Sequence, residues 1–186
     1  IPLPGLHNVR NALAAIGVGL ALGIPVPAIA RALAVFAGVH RRFERLGTWH
    51  GAEVVDDYAH HPTEVAATLA AARQVFPRRQ LHAIFQPHLF SRTRDFAEEF
   101  GRALLGADRV VVTDVYPSRE KPIAGVSGEL VARAARALGH GRVAYCADWR
   151  AAAALLDGVS EGDVVLTLGA GDIYRLAENL VAEAKR

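Results

Sequence analysis

Apolar residues recur at two different spacings along this chain, and the change comes near residue 40. Over residues 6–22, Val9, Leu13, Ile16 and Leu20 keep the period of a helix, which Gly23 and Pro25 end. Pro27 opens a second helix with Ile29, Leu33 and Phe36 on one side, stopping at Gly38. Two helices in succession without a strand differ from everything after them, so a boundary falls near Val39 to Arg42. Phe43–Trp49 and Ala52–Val55 then read as two strands about a His50-Gly51 hairpin turn. From there helices and strands alternate. Pro62–Phe76 reads as a helix, Leu81–Phe85 as a strand, Thr93–Leu105 as a helix and Arg109–Thr113 as a strand. A helix capped by Ser127 runs to Leu138, and strand Val143–Cys146 follows. A helix capped by Asp148 runs to Leu156, before strand Val164–Leu168 and a closing helix Ile173–Lys185. The alternation predicts an α/β fold with a mostly parallel sheet, helices on both faces, an N-terminal strand hairpin and two preceding helices.

Polar residues sort by the end of the sheet they occupy. In a parallel α/β sheet, ligands bind at the carboxyl ends of the strands. Those ends carry Asp56-Asp57-Tyr58-Ala59-His60-His61, then Gln86-Pro87-His88-Leu89-Phe90-Ser91-Arg92-Thr93-Arg94-Asp95. Asp114-Val115-Tyr116-Pro117 and Gly169-Ala170-Gly171-Asp172 complete the set. The opposite loops, such as Pro77-Arg78-Arg79-Gln80 and Gly106-Ala107-Asp108, are ordinary turns. A purely structural protein has no reason to gather histidines, carboxylates and arginines at one end. The connection from Asp114 to Ser127 is also longer than a usual βα loop, which hints at function or mobility.

Taken singly, these elements stay ambiguous. Gly169-Ala170-Gly171 follows the last strand and has Tyr174 at the third glycine position, which disfavours a nicotinamide site. A plain tight turn fits it, and so does a helix N-terminus open to an anion or a ribose. His60, His61 and His88 raise the question of zinc, but adjacent histidines chelate one ion poorly and the helical i, i+4 spacing is missing. No metal ligands are assigned. Arg92 and Arg94 oppose the dipole of a helix start unless an anion is present, and with His88 they form a candidate carboxylate or phosphate clamp. Asp56 and Asp57 fit a cap or solvated loop pair, and equally a metal–nucleotide or ribose hydroxyl.

Composition narrows the class. Of 186 residues, 52% are hydrophobic, yet no run reaches the roughly 18–20 apolar residues of a membrane helix. There is no secretion signal, and a single cysteine fits a reducing compartment, so a cytoplasmic location is expected. That residue, Cys146, falls in a strand and reads as an inert buried thiol. Net charge is only +2 and the arginines are scattered, so neither nucleic acid nor membrane is an expected partner. The opening Ile1-Pro2-Leu3-Pro4-Gly5, without an initiator methionine, reads as that of a fragment or processed chain.

Six motifs in order carry a resemblance: Leu3-Pro4-Gly5-Leu6-His7-Asn8-Val9-Arg10-Asn11-Ala12, Arg41-Arg42-Phe43-Glu44, Asp56-Asp57-Tyr58-Ala59-His60-His61-Pro62-Thr63-Glu64, Phe85-Gln86-Pro87-His88 with Ser91-Arg92-Thr93, Asp114-Val115-Tyr116-Pro117, and Thr167-Leu168-Gly169-Ala170-Gly171-Asp172-Ile173. Together they resemble the C-terminal portion of a bacterial Mur ligase of the alanine-adding kind, over essentially the whole chain. The resemblance implies that residues 1–40 are the end of a central ATP-binding domain and 41–186 a C-terminal, Rossmann-like domain. It implies ligation of L-alanine to UDP-N-acetylmuramate in peptidoglycan synthesis, with ATP and magnesium, through an acyl phosphate. By matching position, His7, Asn8 and Asn11 resemble adenine contacts, Arg42 an arginine that reaches the γ-phosphate, and Asp57 a nucleotide-binding aspartate. Tyr58, His60, His88 and Arg92 resemble the surroundings of the incoming amino acid, with Arg92 on its carboxylate. Arg42 and His60 are the residues expected to be catalytic.

Two departures stand out. Ala59 replaces a frequent glycine, and Leu89 replaces a frequent arginine, which throws more of the carboxylate binding onto Arg92. The family's Gly-Lys-Thr or Gly-Lys-Ser phosphate loop is nowhere in the chain, nor are its UDP-binding domain and principal magnesium ligands. The chain alone is therefore expected to be inactive. Rival readings are the related ligase that attaches a recycled tripeptide to the same sugar nucleotide, and a non-catalytic nucleotide-binding module.

Overall fold

The computed structural model describes residues 1–184. Fourteen elements follow in order, starting with helices α1 (Leu6–Ala21) and α2 (Val26–Ala34) and strands β1 (Glu44–Trp49) and β2 (Ala52–Asp57). Next come α3 (Pro62–Val75), β3 (Leu81–Phe85), α4 (Phe90–Asp95), α5 (Ala97–Leu104) and β4 (Arg109–Thr113). The chain closes with α6 (Glu129–Ala137), β5 (Val143–Cys146), a 3-10 helix (Trp149–Leu155), β6 (Val164–Leu168) and α7 (Tyr174–Glu183).

One six-stranded sheet runs in the order β1-β2-β6-β3-β4-β5. Only β1 is antiparallel, folded onto β2 through His50 and Gly51, which both take positive φ, as a tight hairpin turn demands. Strands β3, β4 and β6 are nearly continuous apolar runs because both faces of the sheet are covered. On one face Val55, Phe85, Val112 and Leu166 pack under α3, α5 and α6, with Leu69, Phe100 and Val131. On the other, Val54, Ile84, Val111 and Val165 pack with Trp149, Leu176 and Leu180 of the 3-10 helix and α7. Helices α5 and α6 approach so closely that a Cβ on Gly101 would sit 2.7 Å from the Ala135 nitrogen. After β5 the chain turns back from the far edge of the sheet and inserts β6 between β2 and β3. The carboxyl ends of β2, β6 and β3 therefore open onto one crevice.

Several expectations from the sequence are corrected. The second helix ends at Ala34, short of Gly38. The expected helix Thr93–Leu105 is two helices that begin at Phe90 and break at Phe96. The segment after Asp148 is a 3-10 helix, although Asp148 does accept the Arg150 N–H at 3.0 Å. Phe43 has positive φ and lies outside β1, whereas β2 continues through Asp56 and Asp57. Cys146 is only partly buried and its thiol faces the Asp148 carbonyl. The closing helix ends at Glu183, and the Lys185 part of that expectation lies outside the described residues.

The apolar stripe of α1 does not enter the core. Val9, Leu13 and Leu20 are exposed, as are Val26 and Phe36 in and after α2. Only Gly19 of α1 is buried, against Ile29 of α2.

Candidate functional site

The strand ends converge as the residue pattern predicted, but with a different division between loop and strand. Asp56 and Asp57 are the last two residues of β2, only 1% and 4% exposed, rather than part of a solvated turn. Asp56 accepts the Thr167 hydroxyl at 2.6 Å and the Arg41 Nε–H at 3.0 Å. Asp57 accepts the backbone N–H of Phe43 through Oδ2 and of Ala59 through Oδ1, both at 2.8 Å. Burial pushes both carboxyls above the usual range, while those donors act in the opposite direction. Both aspartates are thus occupied within the fold, one by the incoming linker and the other by the neighbouring strand.

Beyond β2 the loop is set by the cap of α3. His61 accepts the Thr63 N–H, while Glu64 reaches back to the N–H groups of His60 and His61 at 2.9 and 3.1 Å. Pro62 occupies the first turn of that helix, where its missing N–H costs nothing. This capping box fixes the path of residues 58–61. The rings of Tyr58 and His60 then meet edge-on with centroids 5.3 Å apart, and His60 meets His88 at 5.8 Å. His88 stacks on Tyr116 at 5.7 Å. The two backbones are bridged as well, since Tyr116 N–H donates to Pro87 and Leu89 N–H to Tyr116. Leu89 takes φ 72, a costly conformation for a non-glycine residue, and Thr93 holds its carbonyl through both N–H and hydroxyl. Arg92 donates to the His60 carbonyl at 3.3 Å and so closes the cluster.

The structure therefore brings Tyr58, His60, His88 and Arg92 together. Helix α4 has only six residues, so Arg92, its third, belongs to the first turn as well as the last, while Arg94 lies in the last turn. Arg94 pairs with Asp95 at the surface, away from the cluster. Arg42, 49% exposed, reaches over the Tyr58 ring with Cζ 5.4 Å from its centroid. His7, Asn8 and Asn11 are not part of this cluster. They lie on the first turns of α1, where Asn8 donates to the Pro4 carbonyl at 2.7 Å and Gly5 lies against Ala71 of α3.

Gly169-Ala170-Gly171 is a close-packed turn whose carbonyls, not its N–H groups, meet charge. Arg41 donates to the Gly169 and Gly171 oxygens at 2.7 and 3.1 Å. A Cβ on Gly171 would sit 2.3 Å from Gln86 Oε1, so glycine is required by approach. The Gln86 amide ties the turn to β3 by donating to Asp172 and accepting from Ile173. Sequence reasoning assigned no role to Arg41, Gln86, Tyr116, Tyr174 or Glu120. The last accepts the Ser91 N–H and hydroxyl. Only the doubling of arginine at 41–42 carried a signal for Arg41. Among the described residues, no three His, Cys, Asp or Glu side chains stand together as a metal-ligand set.

His88 is the titratable group of most interest. Its Nδ1 is buried without a partner. Burial lowers its pKa below 6.5, helped by His60, Arg92 and Arg119 and opposed by Glu120. An unfolded chain then binds that proton more tightly than the folded one. The associated stability is present above pH 6.5 and lost as pH falls through the folded-state value. Replacing His88 by Gln should make the melting temperature fall less steeply below pH 6.5 than in the wild type. Parallel pH curves for the two proteins would contradict this.

Comparisons with known proteins agree with one another. The family described as Mur ligase, glutamate ligase domain, matches residues 41–171. A UDP-N-acetylmuramate--L-alanine ligase of Salinibacter ruber is 51% identical over 96% of this chain, which spans 38% of that protein. The solved UDP-N-acetylmuramate-alanine ligase of Thermotoga maritima superposes with a TM-score of 0.80 at 34% identity, covering 98% of this chain and 39% of that one. A murein peptide ligase of Psychrobacter arcticus gives 0.72 at 26% identity, covering 97% and 37%. The chain thus spans about two fifths of the relatives it matches. It belongs to the Mur ligase family, with residues 41–171 matching that family's glutamate ligase domain.

Proposed function

We propose that the intact protein ligates L-alanine to UDP-N-acetylmuramate in the cytoplasm, using ATP and magnesium, as a step of peptidoglycan synthesis. On this reading residues 1–40 are the end of a central ATP-binding domain, and 41–186 the domain that receives the amino acid. The family match beginning at residue 41 supports that division, as does the exposed apolar stripe of α1.

The observation that carries the proposal is the wall Tyr58–His60–His88 with Arg92 beside it, at the strand ends of a chain about half identical to alanine ligases. An amino acid presents a carboxylate to be held and an amine to be delivered. Arg92 has the planar fork that suits the carboxylate. His88, whose pKa burial lowers, favours the neutral imidazole and so does not repel an ammonium. His60 lies between them and is the side chain placed to touch the reacting amine.

ATP supplies the phosphoryl group that activates the sugar nucleotide's carboxylate. Arg42 would meet its anionic end, since its guanidinium is half exposed and, among the described residues, its one ion pair is a 4.0 Å contact with Glu64. His7, Asn8 and Asn11 would meet its base, and Asp57 would border the nucleotide from the sheet. Among the described residues no three His, Cys, Asp or Glu side chains are gathered to hold magnesium.

The test is phosphate release from ATP by the intact protein with UDP-N-acetylmuramate and each acceptor in turn. L-alanine should drive release at concentrations where a tripeptide does not. A preference for tripeptide would transfer the assignment to the recycling ligase. No acceptor-dependent release would favour a non-catalytic module.

A further inference from the structure

Arg41, next to the expected phosphate ligand, is tied into the fold in a wholly different way. Its side chain is 12% exposed and all three guanidinium nitrogens are engaged: Nε with Asp56, Nη1 with Gly171 O and Nη2 with Gly169 O. Its Cζ lies between two rings, 4.9 Å from the centroid of Tyr58 and 4.5 Å from that of Tyr174. Its backbone is in the left-handed region, φ 58, and its carbonyl accepts the Tyr58 N–H at 2.7 Å. A non-glycine residue keeps such a conformation only when its surroundings over-determine it.

These contacts close a circuit. From Arg41 they run to Tyr58, from Tyr58 to His60, from His60 to His88, and from His88 to Tyr116. Tyr116 packs on Gly171, where an added Cβ would come within 2.5 Å of its Cγ, and the Gly171 carbonyl returns to Arg41. One guanidinium thus holds both ends of the aromatic and imidazole wall. The neighbouring Arg42, far more exposed, remains available to an anion.

We propose that Arg41 is a positioning residue for amino-acid binding: it touches neither substrate, but fixes the spacing between Tyr58 and Tyr116 within which His60 and His88 meet the acceptor. The proposal rests on the reading of the protein as an alanine ligase. Arg42 and Arg41 then divide the work, one facing the nucleotide and the other bracing the acceptor wall.

Arg41→Lys in the intact protein is the first test. Lysine keeps the charge against Asp56 but loses the fork that reaches both glycine carbonyls. Misplacement of about 1 Å is worth on the order of 100-fold in rate, so kcat/KM for L-alanine should fall about 10- to 100-fold. The loss should appear mainly in KM for L-alanine, with KM for ATP within about twofold. Arg41→Met combined with Asp56→Asn removes the buried charges as a pair, which avoids stranding a carboxylate. It should show the same KM split at temperatures below its measured melting point. Wild-type KM for L-alanine in either folded variant, or equal rises for L-alanine and ATP, would overturn the proposal. Absence of alanine-dependent turnover in the unmodified protein would instead overturn the functional reading on which it rests.

Discussion

Replacing Asp57 by Ala is expected to destabilise this chain more than any other single change at the strand ends. The carboxylate is the acceptor for two backbone donors, Phe43 N–H and Ala59 N–H, at a site only 4% exposed. Alanine leaves both donors without a partner, and each such buried group costs about 1–3 kcal/mol. Together they imply a loss of about 2–6 kcal/mol, or a melting temperature lower by on the order of 10 °C. Asn should be milder. It keeps one acceptor oxygen and removes a charge that burial already disfavours. Because Phe43 lies on the linker between α2 and β1, the damage should include that linker, visible as faster amide exchange at residues 41–44. An Ala variant melting within a degree or two of the wild type would refute this account of Asp57.

The second large effect concerns ligand rather than fold. Arg92→Ala should raise KM for L-alanine about 10- to 100-fold, the equivalent of a charge-assisted hydrogen bond of about 1.5–3 kcal/mol. KM for ATP should change by less than about twofold, since the proposed nucleotide contacts lie elsewhere. Stability should fall little, because the side-chain hydrogen bond given up among the described residues is one of 3.3 Å to the His60 carbonyl. Lys at this position should recover part of the affinity, through charge without the fork. Leu89, standing where an arginine is frequent in the family, makes the dependence on Arg92 sharper. Equal rises in both KM values would place Arg92 outside the carboxylate site.

Strands β3, β4, β5 and β6 were legible to the residue. Leu81–Phe85, Arg109–Thr113, Val143–Cys146 and Val164–Leu168 are short runs of β-branched and other apolar residues bounded by polar or glycine-bearing loops. Local chemistry was enough there. The break at Phe96 was not legible, because two short helices with apolar residues in phase look like one long one. Nor was the burial of Asp56 and Asp57. The partners that continue β2 through them, Thr167 and Leu168, lie more than a hundred residues away. Arg41 was hidden for the same reason, since its acceptors at Gly169 and Gly171 are 128 and 130 positions distant.

The candidate site divides along that line. The loops that carry Tyr58, His60, His88 and Arg92 were readable as one end of the sheet, because each follows a predicted strand, whereas their grouping around an amino acid came from the family resemblance. The division between Arg41 and Arg42 was not readable, because two identical neighbours differ only in what the folded chain places around them. The glycine triplet was read as a turn or an anion cradle, and its tight approach to Gln86 and Tyr116, not visible in the sequence, shows why glycine stands at 171.

The central claim is that the imidazoles at the strand ends form the amino-acid site. It is tested most directly by following histidine ring resonances of the intact, histidine-labelled protein. L-alanine would be titrated in the presence of UDP-N-acetylmuramate and a non-hydrolysable ATP analogue. His60 and His88 should shift saturably with L-alanine, while His82 and His140, buried in contacts with Asp163 and the Ala107 carbonyl, stay in place. Saturable binding that leaves His60 and His88 unmoved would contradict the account.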